Sequence, residues 1–198
     1  CCEASRQEIV RRYYDSLNSL LKGKQSGRRS TKNRAADESG QCDDRRPPRC
    51  CSCLKRAEET HTPAAALELD DGRIITGKTT NLLGASAALL LNVIKELAGL
   101  KHELHIISPE SIEPIQKLKV DYLKSKNPRL HTDEVLIALS ASAATNPDAR
   151  LALQQLSKLN GCQAHTSVML SDVDIRTFKR LGVQLTCEAV YETGYNYH

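Results

Sequence analysis

The stretch AHTSVMLSDVDIRTFKRLGVQLTCEAV, residues 164–190, decides the fold. It holds an apolar run at 164–170, a capping residue at Ser171, a helical pattern at 172–181, then Gly182 and a second apolar run at 183–190. Serine commonly caps the start of a helix, and glycine commonly follows its end. A strand, a helix and a strand in this order predict a βαβ unit with two parallel strands.

Earlier segments extend this pattern. The turn Asp70-Asp71-Gly72 separates two apolar runs, at 64–69 and 73–76, and therefore predicts a β-hairpin. A third strand is predicted at 102–107, and helices are predicted at about 81–97, 109–123, 132–144 and 147–159. Strands that alternate with helices predict an α/β layered sandwich with a largely parallel sheet, one β-hairpin and the C-terminal βαβ unit.

The chain divides into three parts by composition. Residues 1–21 place Tyr13, Tyr14 and other apolar residues three and four positions apart, as in an amphipathic helix. Residues 22–53 hold nine Lys or Arg against four acidic residues and no large apolar residue, so we predict a disordered basic segment. Residues 54–198 carry the credible pattern of an α/β C-terminal domain.

The composition of the chain also bears on the cellular compartment in which the protein is expected. The longest apolar stretch, residues 85–93, is too short to cross a membrane, so we expect no membrane association. The chain begins at Cys1 without a Met and without a signal pattern, which suggests a segment of a longer cytoplasmic protein. Six of its eight cysteines lie within residues 1–53, outside the orderly part, so they do not indicate a disulfide scaffold.

Two motifs suggest ligands that the surrounding residues disfavour. Residues 72–79 fit the phosphate-loop pattern, but their interior contains β-branched residues that favour extended backbone, and Gly72 already belongs to the hairpin turn. Lys78, beside a helix start, remains a candidate for binding an anion. The cysteines at 42, 50, 51 and 53, with His61, do not repeat the ligand spacing of zinc sites, so we predict no metal.

The polar loop at 124–134 is the best candidate site. It delivers Asn127, Arg129, His131 and Glu134 to a helix N-terminus, a place suited to anions, and we expect His165 to line the same cleft. In this interpretation the loop binds a small-molecule phosphate or nucleotide. His131 and Glu134 then form an acid/base pair, for which the sequence identifies no substrate. The alternative is that they are an ordinary pre-cap residue and an ordinary first-turn acid. No cofactor is indicated.

Four runs of sequence resemble one bacterial family. They are QEIVRRYY at 7–14, GRIITGK at 72–78, ISPE at 107–110 and NPRLHTDEVLIAL at 127–139. The chain resembles the family called domain of unknown function 1846 over residues 3–20 and 54–198. The resemblance implies that the chain corresponds to the C-terminal portion of longer proteins, whose N-terminal part carries its own glycine-rich lysine loop. It implies no catalytic residue, because the family's activity is not established.

The segment near residues 20–53 departs from this resemblance. Codons that can encode residues 46–53, read one base over, spell Asp-Arg-Pro-Val-Val-Ala-Ala, which is similar to the family at this point. We therefore hypothesise that residues 20–53 are translated out of frame. Resequencing the locus tests this, and the hypothesis fails if the family-like peptide is not encoded one base over.

The sequence leaves three functions open. It does not show whether the chain is an enzyme. The first is a C-terminal fragment that supports a nucleotide or small-anion site completed by a missing N-terminal region. The second is a structural module that forms a homo-oligomer through the helices at 85–97 and 135–144. The third, which we expect least, is nucleic-acid binding through the basic segment, since this segment has no aromatic residue to stack on bases.

Overall fold

The computed structural model describes the backbone of residues 2–26 and 46–192, with the side chains of residues 2–6 and 24–26 left aside. Seven α-helices and four strands are present in this part of the chain. The helices are α1 Cys2–Ser26, α2 Pro48–Thr60, α3 Ala85–Leu97, α4 Pro109–Lys117, α5 Thr132–Ser142, α6 Pro147–Gln154 and α7 Asp172–Arg180. A π-helix at Leu118–Tyr122 continues α4, and a 3-10 helix at Gln155–Leu159 continues α6. The strands are β1 Ala64–Glu68, β2 Ile74–Lys78, β3 Gln163–Thr166 and β4 Gln184–Cys187.

The four strands form a single mixed sheet in the order β2-β1-β3-β4. The predicted hairpin is confirmed, since β1 pairs antiparallel with β2. The predicted βαβ unit is confirmed as well, since β3 and β4 pair parallel across α7. The prediction of a largely parallel sheet is wrong, because β1 also pairs antiparallel with β3. The helices between β2 and β3 return the chain so that β3 runs opposite to β1.

The strand predicted at 102–107 is absent from the described sheet. The ammonium group of Lys95 donates to the carbonyl oxygens of His102 at 2.7 Å and Leu104 at 3.5 Å. These carbonyls are therefore bonded to a side chain and not to a neighbouring strand. Ile106 and Ile107 are both buried, so the apolar residues here do not alternate as they would in a half-buried strand.

Helix α3 lies in the middle of the protein, as its apolar sequence predicts. It packs on β1 and β2 on one side and on α5 and α6 on the other. Gly77 in β2 permits this contact, since a Cβ atom there would lie 2.2 Å from the backbone nitrogen of Leu89 in α3. Gly72 takes a positive φ of 81° in the hairpin turn. The hairpin turn and the close contact with α3 therefore explain why glycine occupies both positions of the phosphate-loop pattern. Lys78 is an exposed residue at the end of β2.

Helix α2 covers the other face of the sheet, and its first turns lie in the segment predicted to be disordered. Cys53 of this helix packs with Ala64 and Ala66, which alternate along β1 with the residues that face α3. Residues 48–53 of the segment predicted to be disordered are therefore helical, and Cys50 and Cys53 are buried like small apolar groups. The backbone of α1 also extends to Ser26, into the first part of that segment. Residues 27–45 lie outside the described part.

Helix α1 runs beside β4, which forms one edge of the described sheet. Arg11 donates to the side chain of Gln184 at the start of β4, and Asn18 donates to the carbonyl oxygen of Cys187 at its end. An edge strand covered in this way is protected from pairing with another chain. Of the helices in residues 2–26 and 46–192, none combines the length and the apolar character that a membrane crossing requires.

Candidate functional site

The loop that precedes α5 is fixed by its own polar residues and by the segment before α3. The side chain of Asn127 is buried, and its Oδ1 accepts the backbone N–H of Arg129 at 3.1 Å, as in an Asx turn. Leu130 donates its backbone N–H to Leu82 at 2.9 Å and accepts from Gly84 at 3.3 Å. Asn127 therefore shapes the loop from inside.

Glu134 connects the first turn of α5 to the loop that precedes this helix. Its Oε2 accepts the backbone N–H of His131 at 2.7 Å and the Nζ of Lys119 at 2.8 Å. Lys119 also donates to the carbonyl oxygen of Arg129 at 2.7 Å. The carboxylate of Glu134 thus bonds the backbone N–H of His131, as in a capping box. The acid/base pair of these two residues stays a prediction.

The ring of His131 instead meets a buried carboxylate on α7. Its Nδ1 lies 2.9 Å from Oδ2 of Asp174, while Oδ1 of Asp174 accepts from both the backbone N–H and the hydroxyl of Thr132 at 2.9 Å. Burial opposes the ionisation of Asp174, but the hydrogen bonds from His131, Thr132 and Ser171 outweigh it and hold the pKa of this carboxyl below its ordinary value. Asp174 is therefore a buried carboxylate that joins α5 to α7.

Ser171 completes this cluster without forming a nucleophilic triad. Its hydroxyl donates to Oδ2 of Asp174 at 2.7 Å, and it lies 3.3 Å from Nδ1 of His131. In a Ser-His-Asp triad the carboxylate and the hydroxyl bond opposite nitrogens of the imidazole. Here both approach the same nitrogen, so His131 cannot relay a proton from Ser171 toward Asp174. The arrangement orients the imidazole ring.

Arg129 is held by a second acid from the C-terminal region. Its Nη1 lies 2.6 Å from Oε1 of Glu192, with 18% of the Arg129 side chain and 15% of the Glu192 side chain exposed. The side chain of His131 is 21% exposed. The two loop side chains are therefore each oriented by a carboxylate and still reach the surface.

His165 lies in a different network, on the face of the sheet that α2 covers. It is fully buried, with Nδ1 2.8 Å from the hydroxyl of Thr186 and Nε2 3.2 Å from Oε1 of Glu188. The same oxygen of Glu188 accepts from Tyr14 at 3.0 Å and from Arg46 at 2.9 Å. Fully buried, His165 does not line a cleft with the loop.

Burial governs the protonation of this second network. It lowers the pKa of His165, and the bond to Glu188 only partly offsets this effect. Burial tends to raise the pKa of Glu188, but His165, Arg46 and Tyr14 together hold it below its ordinary value. Burial and the neighbouring Glu188 raise the pKa of Tyr14. We conclude that His165 is neutral and that Glu188 is ionised, with Arg46 as its counter-ion.

The basic segment contributes two of its arginines to the folded domain. Arg46 bonds Glu188, and the buried Arg49 lies 3.0 Å from Oε2 of Glu68. These two guanidinium groups are therefore engaged by carboxylates. Within residues 2–26 and 46–192, no three His, Cys, Asp or Glu side chains converge in a way that could hold a metal ion.

A family described as domain of unknown function DUF1846, C-terminal, matches residues 46–197. The chain belongs to this family. The resemblance seen in the sequence is thereby confirmed. The DUF1846 C-terminal match contains the whole loop network, including Arg129, His131, Asp174 and Glu192, whereas α1 precedes it.

Curated relatives match almost the whole chain, including α1. A UPF0371 protein of Corynebacterium efficiens is 50% identical over 192 residues, which are 97% of this chain and 39% of the relative. One from Corynebacterium urealyticum is 51% identical over 195 residues, 96% of this chain and 38% of the relative. One from Streptococcus pyogenes serotype M5 is 42% identical over 192 residues, with coverage of 96% and 38%. The chain spans about two fifths of the length of these relatives.

Reasoning from the sequence missed the acids that contact the candidate residues Arg129, His131 and His165. Ser171-Asp172-Val173-Asp174 fits the pattern of a helix N-terminal capping box, which could have marked Asp174 as a capping acid. Nothing local indicates that Asp174 also binds His131, which is 43 positions away in the sequence. Glu192 and Glu188 carry no sequence signal at all.

Proposed function

We propose that this chain is the C-terminal module of a larger bacterial cytoplasmic protein and supplies one wall of a binding site for a phosphate-bearing small molecule. The observation that carries the proposal is the paired support of the loop: Glu192 orients Arg129, and Asp174 orients His131. In preorganised binding sites, the side chains that contact the ligand are typically held in place by hydrogen bonds to carboxylates behind them and remain partly exposed.

The chemistry of the two side chains favours phosphate. A guanidinium group stays charged and presents its N–H groups in a planar fork that matches phosphate oxygens. The nearby carboxylate of Glu134 would repel a phosphate. Its negative charge is offset by Lys119, whose Nζ lies 2.8 Å from Oε2 of Glu134. A nucleotide is the natural candidate, and the remaining contacts would come from parts of the full-length relatives that this chain does not match.

Titration of pyrophosphate and ADP by isothermal calorimetry tests this site. We expect Arg129→Gln and His131→Asn to weaken binding by about tenfold or more, since each removes a charged or polar contact. Arg180→Gln is the matched control, because it removes the same charge from an exposed position of α7. Unchanged affinity in both loop variants would reject the loop as a binding site.

A homo-oligomer is the second candidate, and one observation favours it. The π-helix and its end expose Leu118 by 52%, Tyr122 by 72% and Leu123 by 70%. Neighbouring exposed apolar side chains of this size are typical of interaction surfaces. The helix at 85–97, which suggested an oligomer in the sequence, is instead buried within the chain. Sedimentation equilibrium of the wild type and of Tyr122→Glu/Leu123→Glu distinguishes a dimer from a monomer.

A further inference from the structure

A cavity of about 410 Å³ lies between α1, the connection from β3 to α7, and β4. Its size falls within the range of about 300–1,000 Å³ that is typical of small-molecule sites. It borders the loop network, because Leu170 lines the cavity while the next residue, Ser171, contacts Asp174. Neither Arg129 nor His131 is among the residues that line it.

The cavity occupies a favoured position in the fold. Thr166 and Cys187, the last residues of β3 and β4, are paired in register, and Cys187 lines the cavity. In open α/β sheets, ligands bind in the crevice outside the carboxyl ends of parallel strands. β3 and β4 form the parallel pair of this sheet, so this end of the βαβ unit is where a ligand is expected.

The lining has an apolar side and a polar side. Leu170, Ile175 and Leu185 supply apolar surface from the sheet and α7. Helix α1 supplies polar groups, among them Asp15 and Ser19. This division suits a ligand with a flat apolar part and a hydroxyl-bearing part.

Charge narrows the ligand further. Asp15 and Lys22 are the charged residues of the lining, and their charges cancel. Lys22 also lies 3.2 Å from Oδ1 of Asp172. The lining therefore suits an uncharged ligand whose hydroxyl groups can donate hydrogen bonds to Asp15. Asn18 donates to the carbonyl oxygen of Cys187, and its buried Oδ1 has no hydrogen-bond partner among the described residues. A small rotation of this amide would offer an acceptor to a ligand amino group.

We propose that this cavity binds a nucleoside. The base packs against Leu170, Ile175 and Leu185, and the ribose hydroxyls donate to the carboxylate of Asp15. The affinity resides in the uncharged part of the ligand. The proposal therefore does not depend on the phosphate site at Arg129, and either site can fail without the other.

Met169 offers a direct readout, since it lines the cavity and is the one methionine in the sequence. The chain labelled at the methionine methyl group gives one signal, which can be followed by NMR during titration with adenosine, guanosine, cytidine or uridine. We expect at least one of these nucleosides to shift the signal saturably. Pyrophosphate, which lacks the base and the sugar, should leave it in place.

Two variants locate the binding. Ser19→Trp places a large ring at the cavity from the exposed side of α1, and we expect it to weaken nucleoside binding by about tenfold or more. Ser16→Trp is its control, because Ser16 is an exposed residue of the same helix outside the lining. Asp15→Asn should weaken binding by about fivefold, whereas Asp121→Asn, at an exposed position, should not.

The outcomes separate the two proposals. If no nucleoside shifts the Met169 signal in a chain that melts cooperatively, or if Ser19→Trp and Asp15→Asn both bind as the wild type does, the cavity proposal is overturned. If Ser19→Trp fails to fold, Asp15→Asn decides the matter. Nucleoside binding that persists in Arg129→Gln supports the cavity even when pyrophosphate does not bind at all.

Discussion

His131 and Asp174 are 43 positions apart in the sequence, yet Nδ1 of the imidazole lies 2.9 Å from Oδ2 of the carboxylate. This contact joins the N-terminus of α5 to the first turn of α7. Asp174 also accepts hydrogen bonds from the backbone N–H and the hydroxyl of Thr132 in α5 and from its own cap, Ser171. The candidate loop therefore depends on an acid of the βαβ unit.

Asp174→Asn should lower the free energy of unfolding by roughly 2–4 kcal/mol, because an amide cannot accept all the hydrogen bonds that the buried carboxylate accepts. Urea denaturation at pH 7 measures this. Asp172→Asn is the control, since Asp172 lies in the same turn with 80% of its side chain exposed, and we expect a change below about 0.5 kcal/mol.

The same residue predicts a pH dependence. The pKa of Asp174 is lowered in the folded chain, so its contribution is complete above the ordinary carboxyl value of about 4 and is lost as pH falls through the folded value. The wild type should therefore lose more stability than Asp174→Asn as pH falls below about 4. Parallel acid titrations of the two proteins would contradict this expectation.

His165→Gln should flatten the stability profile between about pH 7 and pH 5. The pKa of His165 is lowered in the folded chain, so the unfolded chain takes up a proton near its ordinary value of about 6.5 while the folded chain resists. This contribution to stability is complete above that pH and is lost as pH falls. Glu188 stays ionised in this window, because its pKa is below its ordinary value.

The quantity to compare between the wild type and His165→Gln is the slope of the free energy of unfolding against pH, measured by urea denaturation. Arg46, Tyr14 and Thr186 face the same network. Burial and Glu188 raise the pKa of Tyr14, which places its titration above this window. We expect His165→Gln to be less stable at pH 7 by about 2 kcal/mol, since Glu188 and Thr186 lose a bonding partner. Equal slopes in both proteins would show that His165 is not the group responsible.

Gly77→Ala should destabilise the chain by about 3 kcal/mol or prevent folding, because its Cβ would lie 2.2 Å from the backbone nitrogen of Leu89. Gly84→Ala is the control, since the nearest atom to its added Cβ is 3.8 Å away. Thermal melts of both variants are sufficient. A stable Gly77→Ala chain with altered nucleotide binding would instead favour the phosphate-loop interpretation.

Arg49→Met should raise the free energy of unfolding by roughly 1 kcal/mol. Arg49 is 2% exposed and its Nε has no hydrogen-bond partner among the described residues. Its partner Glu68 has 31% of its side chain exposed and can be hydrated once the guanidinium is gone. Urea denaturation beside Arg180→Met, which changes an exposed arginine, tests the idea, and a loss of stability in Arg49→Met alone would refute it.

The sequence alone determined the local secondary structure of several segments. The hairpin at Gly72, the cap at Ser171 and the βαβ unit follow from turn residues and from the spacing of apolar residues, which act over a few positions. The apolar composition of α3 agrees with its position between the sheet and the helices α5 and α6. The loop around Asn127 leads to the N-terminus of α5, as predicted, because helix start signals are also local.

Tertiary structure alone decided the rest. Whether β1 runs parallel or antiparallel to β3 depends on how the helices between them pack, and no residue of either strand encodes that direction. Burial of Arg49 and Cys53, the pairing of Arg129 with Glu192, and the cavity beside Met169 likewise arise where distant segments meet. Their energies come from desolvation and from contacts that exist only in the assembled fold.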